Sequence, residues 1–236
     1  MRSVPTSRYG ETLWCPRDRA TIVTMRFAGR PSWSLSVGDD QHLNAALYFR
    51  DALALVVEGD DVPPRLAEQP PLSNVLAGAD LTVVGRDWLG WWRGLLALYL
   101  EQKHAPEGTG ADWRAWVTEN AARRDLIGGP ADGFAGLAHA PDLQRACVAL
   151  IRDAYAADRR AQGAALGARP WAETMRVVDE VAAEHGVDPN SLSGIVVVVP
   201  TAGRWWHVVE PGAVIASRDT DGDDVIRAAF VSSLGF

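Results

Sequence analysis

The chain has 236 residues, 47% of them hydrophobic and 22% charged, with a formal net charge of −7. That length suits one medium domain able to bury its own core, and the composition is ordinary for a soluble globular protein and wrong for a disordered one. An acidic chain without a basic stripe argues against a nucleic-acid partner, and no run reaches the roughly 18 apolar residues of a membrane span.

The lead-in, residues 1–20, is irregular and has no apolar stretch of signal-peptide length. Cys15 and Cys147 are the only cysteines and form no CxxC, so reduced thiols and a cytoplasmic location are expected. Lys103 is the single lysine; so strong a preference for arginine and alanine fits a GC-rich, bacterial genome. Charge is unevenly spread: residues 1–30 carry a net +4 and residues 39–80 a net −6.

Val23, Met25 and Phe27 alternate with polar neighbours, and so do Trp33, Leu35 and Val37 beyond Gly29-Arg30-Pro31. A period of two on both arms of a Gly/Pro turn predicts a β-hairpin. Asp39 and Asp40 then offer a cap for a helix running to about Val57. Residues 58–71, EGDDVPPRLAEQPP, read as a long loop, mobile or functional, or as a lobe boundary within a single domain. Asp87 opens an aromatic helix whose Trp88, Trp91, Trp92, Leu95 and Tyr99 span so broad an arc that it must be mostly covered. Further helices are expected over 111–126, over 141–162 and from Trp171 to a glycine cap at Gly186.

Residues 193–217, SGIVVVVPTAGRWWHVVEPGAVIAS, hold three β-branched runs parted by Pro-Thr-Ala-Gly and Glu-Pro-Gly. They predict a three-strand antiparallel meander, with Ile195 to Val199 covered on both faces because the run is apolar without a break. A last helix carries Val225, Ile226, Ala229, Phe230 and Leu234. The expected fold is α+β: an antiparallel sheet of about five strands, hairpin plus meander, with five to six helices packed on a face. Two lobes with a small sheet each are the alternative.

Motifs that carry chemistry are scarce. Asp219-Thr220-Asp221-Gly222-Asp223 resembles a calcium loop of the EF-hand or dockerin kind, with Asp219, Asp221 and Asp223 at ligand positions one, three and five. Asp224 stands where the turn glycine belongs and Phe230 where the bidentate acid belongs, so an aspartate-rich helix start is the preferred reading and no cofactor is expected. Glu101 and His104 form a lone ExxH without the second pair that a di-iron bundle needs. No GxSxG, GxxxxGK[ST] or GxGxxG is present.

Ten tryptophans are the anomaly. Trp205 and Trp206, adjacent on a strand, must point to opposite faces, so one of them is expected to meet solvent. With motifs absent, the expectation is a non-catalytic interaction, adaptor or immunity-type module that holds a protein partner or a second copy through Trp91, Trp92, Trp205, Trp206 and Arg204. A Trp-lined pocket for a small apolar or cationic ligand is a rival. The alternative function is a small-molecule enzyme with a site between helices and sheet, pairing His42 or His207 with Asp40 or Glu210.

Overall fold

A computed structural model describes residues 21–24, 33–103, 111–161 and 171–235. The elements in order are β1 (Thr21–Thr24), β2 (Ser34–Gly38), α1 (Gln41–Ala52), α2 (Leu81–Lys103), α3 (Ala111–Ile127), α4 (Pro141–Ala161), α5 (Trp171–His185), β3 (Ser193–Val199), β4 (Trp206–Glu210), β5 (Ala213–Ser217) and α6 (Gly222–Ser233). Short 3-10 turns lie at Pro130–Asp132, Ala135–Leu137 and Pro189–Ser191. The protein is α+β, and no helix among the described residues is long and apolar enough to cross a membrane.

The predicted hairpin is present: β1 pairs antiparallel with β2, Thr21 opposite Val37 and Thr24 opposite Ser34. Met25 and Phe27, and with them the turn, lie outside the described residues. The antiparallel sheet is not what forms. The order is β1-β2-β3-β5-β4, and the central pairs β2–β3 and β3–β5 are parallel, so the sheet is mixed. Nor is there a meander, because β5 lies between β3 and β4. Connection length explains the difference. Pro211-Gly212 is a two-residue turn, with Gly212 at φ 83°, and it closes a true hairpin from β4 to β5. The stretch 200–205 is long enough to carry the chain past the place that β5 then fills.

Alternation along the strands sends side chains to two separate cores. Ile195, Val197, Val199, Ala213 and Ile215 meet α1, α2 and α4 on one face. Val196, Val198, Val214 and Ala216 meet α5 and α6 on the other, with Trp33 and Leu35. Helices therefore cover both faces rather than one, as the unbroken apolar run of β3 required. Gly194 lets α6 come close: a Cβ there would lie 3.2 Å from Ala229 Cβ and from Leu35 Cδ1.

Two helix limits differ from the periodicity for local reasons. α2 begins at Leu81 because the Asp80 carboxylate accepts the amides of Thr82 and Val83. α1 stops at Ala52 rather than near Val57, because Ala54 turns left-handed at φ 52°. The Ala54 amide then donates to Asp51 O, and the Leu55 amide to Arg50 O.

Residues 58–71 form a long irregular connection, as expected, and side chains from α1 hold part of it in place. Buried Arg50 donates to the carbonyls of Pro63 and Pro64, and its Nε meets Asp51 Oδ1 at 2.7 Å. The Leu66 amide donates to Asp51 Oδ2 at 2.6 Å. Leu66 also bridges Thr201, which fastens this strap beside the ends of β3 and β5.

Candidate functional site

The candidate interface divides once its residues are placed. Trp91 and Trp92 are 7% and 0% exposed. Trp92 stacks on Trp88 at 5.7 Å and donates its Nε1–H to Asp61 O. Trp91 stacks on Phe49 and donates to Ile127 O at 3.1 Å. Both rings are largely interior with satisfied N–H groups, so neither stands out from the surface as an anchor for a protein partner, though the edge of Trp91 lines a groove beside α2. What remains at the surface is Arg204, Trp205 and Trp206.

These three sit where the chain enters β4, the outermost strand of its side of the sheet. The backbone there is held firmly. Thr220 Oγ1 donates to Trp205 O at 2.9 Å and accepts from the Trp205 amide, while the Ser217 amide also donates to Trp205 O. Beneath it the buried hydroxyls of Thr201 and Ser217 bond at 2.7 Å. Trp205 is half-buried against the α2-side core, and its indole lies parallel to the His207 ring at 6.4 Å. Trp206 points to the opposite face and is 43% exposed. Arg204 is exposed and makes no ion pair among the described residues.

An acidic group missed by local reasoning joins the Trp205 side. Asp61 takes two bonds from Arg93, at 2.6 and 2.8 Å. That guanidinium holds the Asp61 carboxyl below the usual carboxylate range, and nearby His207 pushes the same way. His207 thus has Asp61 as an electrostatic neighbour, from a loop 146 residues upstream; the acidic run EGDD was visible in sequence but its destination was not.

A second polar group lies between α1 and α4. Asp40 Oδ1 caps α1 by accepting the amides of His42 and Leu43. The His42 ring meets Tyr155, with Nδ1 and the phenol oxygen 3.1 Å apart. Burial pushes the Tyr155 hydroxyl above its ordinary pKa, and Asp40 and Asp158 add to the rise. Asn44 donates to Asp158 Oδ1 at 2.8 Å, both residues being buried. Because Tyr155 stays protonated, it supplies a hydrogen bond here rather than a base. Nothing near His42 in sequence pointed to a tyrosine 113 residues away.

The aspartate run places its members separately. Asp221 caps α6 by accepting the Asp223 amide at 2.9 Å, and the Asp223 carboxylate pairs with Arg176. Among the described residues no group of three or more His, Cys, Asp or Glu is disposed to hold a metal. Glu101 pairs with Arg123, while His104 lies outside the described residues. Cys147 is fully buried, and burial pushes its thiol pKa up, which makes it an inert packing group.

No family model matches the chain, and neither a curated protein nor a solved structure matches it.

Proposed function

We propose that this chain is a non-catalytic protein-interaction module whose contact surface is the β4 edge, with Trp206 as the anchor and Arg204 at its rim. The observation that carries the reading is the 43% exposure of Trp206 on a strand beyond which no described strand lies. An edge strand presents unpaired N–H and C=O groups to an added strand, and an indole beside it supplies a large apolar contact. The partner is a protein, either an extended segment of another chain or the same edge of a second copy. The rival enzyme reading has less behind it, since the capping contacts of Asp40 run to backbone amides and the His42 ring meets a phenol.

The test is association measured by sedimentation and by co-purification, for the wild type, Trp206→Ala and Arg204→Glu. A central indole is worth about 2 kcal/mol or more, so Trp206→Ala should weaken association roughly thirtyfold while the melting temperature hardly moves. Arg204→Glu should act more weakly and with a clear salt dependence. Association unchanged in Trp206→Ala removes the basis of the proposal.

A further inference from the structure

A groove of about 280 Å³ runs along α2, facing the segment from Ile127 to His139. It is wide enough for about nine waters, the size of a small metabolite. Its existence depends on two glycines one helical turn apart. A Cβ built on Gly90 meets nothing within 4 Å, and one on Gly94 meets only the Ile127 side chain, at 3.7 Å. Glycine inside a helix destabilises it relative to alanine, a cost usually offset where another backbone packs against it. At Gly90 no such neighbour exists, so what the missing side chain provides is open space.

The lining combines an apolar surface with three polar groups. Trp91, Ile127 and Leu137 supply the apolar part, and Trp91 is held rigid by its bond to Ile127 O and its stack on Phe49. Arg86 and Asp87, neighbours at one side, make no side-chain hydrogen bond or ion pair with any described residue. His139 lies across from them with Nδ1 3.1 Å from Gly136 O. A carbonyl only accepts, so Nδ1 carries the hydrogen and Nε2 is left as an acceptor in the neutral ring.

A cation beside an anion, neither paired with any described residue, over an apolar surface, complements a small zwitterion. We propose that this groove binds an α-amino acid with an apolar side chain, of the leucine or phenylalanine class. Its carboxylate pairs with Arg86, its ammonium with Asp87, and its side chain lies against Trp91, Ile127 and Leu137. A plain carboxylic acid would leave Asp87 facing a like charge, and a plain amine would leave Arg86 facing one.

Calorimetric titration tests the assignment with L-phenylalanine and L-leucine, beside phenylalanine amide and 3-phenylpropionate, which lack the carboxylate charge and the ammonium respectively. Binding at millimolar ligand or better, with each analogue at least tenfold weaker, is the expected result. Gly90→Leu starts a side chain where a Cβ meets nothing within 4 Å and replaces a poor helix former with a good one; it should abolish the heat while the melting temperature holds or rises. Arg86→Ala should weaken binding about tenfold, the cost of one charge-assisted bond. No heat from either amino acid, undiminished binding in Gly90→Leu, or an analogue as tight as its parent would each overturn the assignment.

Discussion

The two faces of the sheet are covered in different ways. On the α5–α6 face the core is aliphatic, built of Val177, Val178, Val181, Val196, Val198 and Val214, with Trp33 and Phe230 in edge contact at 6.2 Å. The charged groups there stay at the rim, where Arg227 bridges Glu180 and Glu184, and Arg176 reaches Glu180 and Asp223. On the α1–α2–α4 face the core is aromatic, and an ion pair lies inside it. Arg50 and Asp51 have side chains 3% and 0% exposed, and the guanidinium lies 5.7 Å from the centre of the Trp88 ring. Burial lowers the Arg50 pKa, the Asp51 bond opposing the fall. A face covered by two helices can be sealed with apolar groups alone. The face that must also accept an irregular strap needs buried donors and acceptors for the strap's backbone.

That contrast predicts very unequal responses to losing one charged partner. Asp51→Ala strands a buried guanidinium and the Leu66 amide, and should cost about 3–5 kcal/mol in urea unfolding. Arg227→Ala removes two ion pairs of comparable geometry at the surface and should cost less than about 1 kcal/mol. Equal costs would erase the distinction between the two faces.

A subtler test uses pH. Asp61 is held below the ordinary carboxylate range by Arg93, so its stabilisation is present above pH ~4 and is lost as pH falls through the folded-state value. The Arg93 side chain is 53% exposed, which limits the gain to under about 1 kcal/mol. Asp61→Asn should therefore melt slightly below wild type at pH 7, and the gap should shrink once the pH drops below about 4. A gap that does not change with pH would mean that Asp61 acts through packing rather than charge.

Much of the framework was legible in the chain. The period-two run around Leu35, the unbroken Ile195–Val199 and the helical stripes of α4 and α5 each appear as elements close to their expected places. The broad aromatic arc of α2 announced a covered helix, and Trp88 and Trp92 are its most buried rings. The candidate site was less legible. Adjacent Trp205 and Trp206 do split between the two faces, as strand geometry requires. Asp61 beside His207, Tyr155 against His42 and the groove above Gly90 left no local trace, because each depends on segments that meet only after folding.

Apolar patterning alone marked the inward stripes of α4 and α5 and the two-sided burial of β3, because helix and strand geometry act over a few residues, whereas α1 is buried from Leu43 to Ala52 without regard to period. Strand order, parallel pairing and the choice of which indole meets solvent came from tertiary structure. A six-residue connection permits more than one neighbour for β4, and only the packing of two helical layers against β3 selects among them.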